Sequence, residues 1–163
     1  MSAVIKPQAA RIRPMEVADL KAVIRVERAA YEYPWTENIF RDCLRVGYYC
    51  CVVENEDGIL GHGIMSYAVG ECHLLNVCIR PDSQHRGLGR RLVLHLLQVA
   101  RRNRSRVAFL EVRMSNTVAY RLYLDLGFSE VGIRKDYYPA RHGREDAMIL
   151  ALDLDEDDRG STV

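Results

Sequence analysis

The segment Gln84-His85-Arg86-Gly87-Leu88-Gly89 constrains this chain more than any other. It follows a strand-like run, residues 72–80, and opens a helix-like stretch, 87–104, with Leu88, Leu92, Leu96 and Val99 on one face. Two glycines at a strand-to-helix turn let the backbone approach an anion closely. The free N–H groups of the helix N-terminus face that anion, and the macrodipole adds to the attraction. Arg86, Arg90 and Arg91 place positive charge nearby. The combination suits a pyrophosphate. It is not a Walker loop, because no Gly-Lys-Ser/Thr follows. A dinucleotide fingerprint would need a third glycine where Leu92 stands. A plain glycine-rich turn with exposed arginines would use the same residues, and the strand–turn–helix setting favours phosphate binding.

The rest of the chain reads around that turn. A short strand is expected at 11–13. A helix is expected over 16–31, where Val17, Leu20, Val23, Ile24 and Val26 recur at three and four. Tyr33-Pro34-Trp35-Thr36 breaks it, and Thr36 can cap a second helix to about residue 45. Strands at 48–54 and 59–69 flank the turn 55–58 as a hairpin. A strand at 106–113 leads to a helix that Ser115 or Asn116 can cap and Gly127 can end. Two last strands are expected at 128–136 and 147–154. The order β-α-α-β-β-β-α-β-α-β-β predicts an α/β chain, an α+β-like mixed sheet with helices on both faces. One domain is expected over 11–154, with a loose arm at 1–10 and an acidic, disordered tail at 155–163.

Composition removes several function classes. Net charge is +1, so bulk attraction to DNA or to a membrane surface is not expected. No run approaches the ~20 apolar residues of a membrane span, and the first residues lack a secretory core. The five cysteines, Cys43, Cys50, Cys51, Cys72 and Cys78, form no C-x-x-C pair. Neither a disulfide framework nor a zinc site is expected, and no metal is assigned. Free thiols fit a reducing cytoplasm.

The motifs together resemble the GNAT superfamily of N-acetyltransferases. Gln84-x-x-Gly87-x-Gly89 resembles its acetyl-CoA pyrophosphate motif. Leu110-Glu111-Val112-Arg113, Ser115-Asn116, Ala119, Leu122-Tyr123 and Leu126-Gly127-Phe128 resemble the strand and helix that follow. Tyr33-Pro34-Trp35-Thr36, Asp136-Tyr137-Tyr138-Pro139 and Gly143-Arg144-Glu145-Asp146-Ala147 resemble a narrower group, the bacterial ribosomal-protein-alanine N-acetyltransferases (RimI). The similarity spans about 11–154. The glycine motif is superfamily-wide; the later motifs are far more specific. The resemblance implies a GNAT fold, acetyl-CoA as donor, and the N-terminal peptide of a small-subunit ribosomal protein as acceptor. It places Val77, Ile79, Gln84, Arg86, Gly87, Leu88, Gly89, Arg90 and Asn116 at the cofactor. The N–H groups near Val77 and Ile79 would polarise the thioester carbonyl.

Acetyl transfer needs a base for the amine and an acid for the departing sulfur. Glu111 is the candidate base: it interrupts an apolar strand, and burial would raise its pKa from about 4.3. A strand glutamate facing solvent would look the same, and the resemblance decides for the base. Tyr123 is the candidate acid and a cofactor contact, because a phenol of pKa ~10 stays protonated at neutral pH. Its plain alternative is a core tyrosine on an amphipathic helix. Asn116 either touches the cofactor or simply caps its helix. Cys78 reads as a buried strand thiol. The resemblance also assigns Tyr33, Trp35, Tyr137, Tyr138, Glu145 and Asp146 to the peptide groove; Trp35 and Tyr137 as core, with solvated acids, is the plain reading.

An α-amine of pKa near 7.8 is roughly 10–20% neutral at pH 7, a lysine amine near 10.4 only about 0.04%. One glutamate, working through water, therefore suits an α-amine better than a lysine. A lysine or small-amine acetyltransferase is the alternative enzyme; a non-catalytic acetyl-CoA-binding or ribosome-docking protein is the alternative class. The run Arg101-Arg102-Asn103-Arg104-Ser105-Arg106 complements a helix C-terminus and leaves a ribosomal RNA contact open.

Overall fold

The structure is a computed structural model and describes residues 9–155. The arm and tail expected at the two ends lie outside these residues, apart from 9, 10 and 155. Seven strands form one mixed sheet in the order β1-β2-β3-β4-β5-β7-β6. They are β1 (Arg11–Pro14), β2 (Tyr49–Asn55), β3 (Gly58–Ala68), β4 (Glu71–Ile79), β5 (Val107–Arg113), β6 (Ser129–Ala140) and β7 (Gly143–Asp153). The helices are α1 (Leu20–Ala30), α2 (Glu37–Arg45), α3 (Leu88–Arg102) and α4 (Thr117–Asp125). This is the element order expected. The first helix starts late because Val17–Asp19 makes a 3₁₀ turn first. The last hairpin is longer than expected: β6 runs on through Tyr137-Tyr138-Pro139 and β7 starts at Gly143. Pro139 can sit there because β6 is an edge strand.

Local chemistry sets the helix ends. Thr36 caps α2, its hydroxyl accepting from Ile39 N, and the Asn116 side chain caps α4 through Ala119 N.

Helices cover both faces of the sheet. On one face α3 and α4 enclose Leu92, Val93, Leu96, Leu97 and Ala100 with Cys51, Val53, Leu110 and Leu150. On the other, α1 and α2 pack Leu20, Val23, Ile24 and Phe40 against Cys50, Val52 and Ile64. Cys50 and Cys51 thus serve opposite cores, as alternation in a strand requires.

One strand pair decides where a ligand can enter. Among the described residues only β4 and β5 pair in parallel, and their ladder runs from Glu71↔Val107 to Leu74↔Leu110 and stops. A bulge in β4, where Ile64 faces Asn76 and Met65 faces Leu74, comes at the same place. The extra residue, Leu75, changes which side chains face which core: Leu74 joins the α3 core and Cys78 the α1 core. Beyond it, β4 has no partner on its β5 side among the described residues. At this end of β3, Gly61 passes so close to β4 that a Cβ would lie 2.5 Å from Cys78 O. The strands part, and both following helices begin at the gap. A crevice beyond the carboxyl ends of parallel strands is where open sheets hold ligands.

Candidate active site

A cleft of about 1050 Å³ opens at this gap. One end of it is the glycine turn. Gly87 is the residue before α3 and takes φ +79°, a left-handed conformation that glycine adopts without steric cost. Nothing lies within 4 Å of where its Cβ would be, so the approach to the helix N-terminus stays open. The Gln84 amide donates to Ile79 O at 3.0 Å and ties the turn to the end of β4. Arg90 lines the cleft, with Asp125 at a loose 3.5 Å.

The middle of the cleft is lined by Val77, Cys78 and Ile79 of β4 and by Asn116, Ala119, Leu122 and Tyr123 of α4. Tyr123 is nearly buried, with its ring edge-on to Phe128 at 5.6 Å. Among the described residues its hydroxyl has no hydrogen-bond partner. Burial pushes its phenol well above the usual range, with Tyr138 adding to the shift.

The far end is built by three segments that meet. Tyr31, Glu32 and Tyr33 come from the α1–α2 loop, Arg113 from β5, and Pro139, Ala140, Arg141 and Glu145 from the β6–β7 hairpin. Arg113 is the hub. Its guanidinium lies 4.4 Å from the Tyr138 ring centre and 5.3 Å from that of Tyr33. It also donates to Pro139 O at 2.8 Å and pairs with Glu145 at 3.3 Å. Glu145 in turn accepts from Ser115 N at 2.7 Å. Ser115 and then Arg113 hold the Glu145 carboxyl below the usual carboxylate range. Tyr31 donates to Val77 O at 2.7 Å, and Glu32 meets Arg141 at 3.0 Å.

Of the residues picked from sequence, the cleft brings together Tyr33, Val77, Ile79, Gln84, Gly87, Gly89, Arg90, Asn116, Tyr123 and Glu145. It does not include Arg86, which is exposed, or Leu88, which packs toward the α3 core. Trp35 lies against Phe40 at 5.3 Å, on the α1 core, as its plain reading had it. Asp146 accepts from Asp136 N at 2.9 Å, where Asp136 takes φ +51° and β6 and β7 slip register. Its carboxylate holds a bulge and does not face the cleft. Tyr138 borders the site beside Arg113, and Tyr137 stacks edge-on against Tyr138 at 4.8 Å.

Glu111 needs a correction. An isolated carboxylate among apolar neighbours was expected. Alternation puts it on the same side of β5 as Arg113, away from the buried Leu110 and Val112. There Arg134 pairs with it at 2.9 Å. It stands two residues along the strand from Arg113 and does not line the cleft itself.

Sequence reasoning missed Arg113 as a site residue, although Glu111 and Arg113 at i and i+2 was the available signal. It also missed Tyr31, and the buried trio Glu27, His62 and Asn76, which no local pattern marks. Glu27, His62 and Cys78 place an oxygen, a nitrogen and a sulfur within 4.8 Å of one another. Glu27 Oε1 already accepts from His62 Nε2 and Asn76 Nδ2, both at 3.0 Å, so the trio reads as a hydrogen-bonded cluster.

A strand-to-helix glycine turn beside a splayed parallel pair is the arrangement the acetyltransferase resemblance requires. Residues 17–128 match the model of the acetyltransferase (GNAT) family. This chain belongs to that family. A curated relative, the [ribosomal protein bS18]-alanine N-acetyltransferase of Escherichia coli K12, is 36% identical over 143 residues, covering 88% of this chain and 97% of the relative. The crystal structure of the ribosomal-protein-S18-alanine N-acetyltransferase from Escherichia coli superposes with a TM-score of 0.84 at 36% identity, over 90% and 94% of the two chains. The narrower resemblance read from the Tyr-Pro-Trp and Glu-Asp-Ala segments agrees with these relatives. YncA from Salmonella typhimurium, solved with its cofactor acetyl-CoA, shares the fold at 21% identity and a TM-score of 0.75, over 90% and 95% of the chains. Acetyl-CoA is the family's donor. The open glycine turn, the unpaired edge of β4 and the volume of the cleft fit it. No helix among the described residues is long and apolar enough to cross a membrane.

Proposed function

We propose that this protein transfers an acetyl group from acetyl-CoA to the N-terminal α-amine of a protein, and that the acceptor is the N-terminal alanine of a small-subunit ribosomal protein, bS18. The observation that carries this reading is similarity, over about nine tenths of the chain, to enzymes named for that reaction. The cleft supports it. One end offers a phosphate cradle and the other an aromatic and charged rim around Arg113. Such a rim suits the first residues of a peptide. The cytoplasm, where ribosomes and acetyl-CoA meet, is the proposed location, and five unpaired, buried cysteines agree with it.

Bound acetyl-CoA supplies the thioester whose carbonyl carbon the amine attacks. The glycine turn and Arg90 hold the phosphate end by N–H groups and charge. The unpaired edge of β4 at Val77 to Ile79 offers backbone donors to the carbonyl. The new bond is N–C and the broken bond is C–S. The amine proton passes to Glu111 through water, since Glu111 lies outside the cleft, and Tyr123 gives its proton to the leaving sulfur. Burial that disfavours the Tyr123 phenolate also disfavours a thiolate beside it, which keeps that proton transfer near balance.

Two peptides and acetyl-CoA test this by mass spectrometry. One carries a free N-terminal alanine and no lysine; the other has a blocked N-terminus and an internal lysine. One added acetyl group on the first alone is expected. Acetylation of the second alone would replace the α-amine reading with the lysine one. With the accepted peptide, Tyr123→Phe should lower kcat about 10²-fold while acetyl-CoA affinity stays nearly unchanged. Glu111→Gln should slow the reaction at neutral pH and move the pH profile upward. An unmoved profile removes Glu111 as the base.

A further inference from the structure

The α1 face of the sheet holds a fully buried carboxylate that the reaction above does not use. Glu27, on the last full turn of α1, has no exposed surface. Three donors from three segments converge on it. His62 Nε2 of β3 and Asn76 Nδ2 of β4 meet Oε1, and the backbone N–H of Trp35 donates to Oε2 at 3.0 Å. An apolar residue of similar size would cost less to bury, because a buried carboxylate must recover its desolvation entirely from such bonds. Stability alone does not account for this glutamate.

Its position does. Trp35 closes the loop that starts where α1 ends, and that loop carries Tyr31, Glu32 and Tyr33 into the cleft. The loop's other ties are neutral or more exposed: the Tyr31 hydroxyl, at the cleft surface, donates to Val77 O at 2.7 Å. Glu32–Arg141 is largely in solvent, where ion pairs contribute little. Tyr33 has only its stack with Arg113. Through Glu27 the loop is fastened to Asn76, on the part of β4 that has left its parallel partner. The two walls of the peptide end are thereby held to one carboxylate.

We infer that Glu27 is a positioning residue for the acceptor end of the cleft: it sets the α1–α2 loop, through Trp35 N–H, at the height over β4 that lets Tyr31 and Tyr33 receive a peptide. This rests on the peptide-acetylating reading for its kinetic consequence, but not for its structural one. In Glu27→Gln the amide keeps the shape and offers a single carbonyl oxygen, so at least one of the three donors loses its acceptor.

Steady-state kinetics of Glu27→Gln should show the KM for the alanine peptide raised about tenfold, the loss of roughly one charge-assisted hydrogen bond, with kcat and the acetyl-CoA Kd each changed less than about threefold. Trp35 is the sole tryptophan, so its emission reports the loop directly; in the variant it should be quenched more readily by acrylamide. A lowered melting temperature with peptide KM and quenching unchanged would make Glu27 a packing residue and overturn the inference. Hydrogen exchange of the Trp35 amide in the unmodified protein covers the case in which the variant does not fold. Protection comparable to the amides of α1 is expected, and fast exchange overturns the inference. If the unmodified protein leaves the alanine peptide unacetylated, the functional reading fails, and quenching and exchange still decide the role of Glu27.

Discussion

The two faces of the sheet are packed differently. The α3 face is a large core of apolar side chains, in which Leu92, Val93 and Leu96 are wholly buried. The α1 face is smaller and has Glu27, His62 and Asn76 set into it. Its Phe40 ring packs edge-on against the His62 ring at 5.2 Å. Apolar packing is non-directional and stabilises in proportion to area. Hydrogen bonds to a buried carboxylate are directional and fix where segments sit. The first face gives the protein most of its stability, and the second gives the loop over the cleft its place.

The sharpest test of that contrast is Leu96→Ala on the α3 face. It should cost about 2–5 kcal/mol in chemical denaturation, with peptide KM unchanged at temperatures where the protein stays folded. A shift in KM without loss of stability would break the comparison. On the α1 face, Thr36→Ala removes the hydroxyl that caps α2 next to the loop. About 1 kcal/mol of stability should be lost, with a measurable rise in peptide KM despite the smaller cost. The smallest effect concerns acid. Asp19 precedes α1 and accepts from Arg13 at 2.8 Å and from Glu16 N at 2.8 Å. Arg13 holds its carboxyl below the ordinary value. A depressed folded pKa means that its contribution is complete above the unfolded value of about 3.9 and disappears as pH falls through the folded one. Denaturant midpoints measured from pH 6 downward should fall in that range, and Asp19→Asn should flatten the fall.

How much could be read in advance differs by element. The helices α2, α3 and α4 and the hairpin of β2 and β3 followed from periodicity, Thr36, Asn116 and the glycine turn, all of which act within a few residues. The ends of β6 and β7 did not. Tyr137-Tyr138-Pro139 looks like a stop, yet it continues as an edge strand across a bulge that Asp146 holds from the neighbouring strand. The site divides in the same way. The glycine turn is local, and Gln84, Gly87 and Gly89 were legible as a unit. Trp35 and Asp146 belong to family motifs, and their side chains nonetheless serve packing and a bulge.

The chain alone determined the order of elements, the open glycine turn before α3, and the two candidate proton-transfer residues, because each rests on spacing or on a motif. Tertiary structure decided the rest. The stop of the β4–β5 ladder at Leu74 opens the cleft. Glu111 pairs with Arg134 and is not part of the lining. The gathering of Tyr33, Arg113, Tyr138 and Glu145 joins the α1–α2 loop, β5 and the β6–β7 hairpin, and that of Glu27, His62, Asn76 and Trp35 joins α1 and its loop to β3 and β4. Hydrogen bonds and cation–π contacts act over a few ångströms, and residues dozens of positions apart come that close only when the sheet has formed.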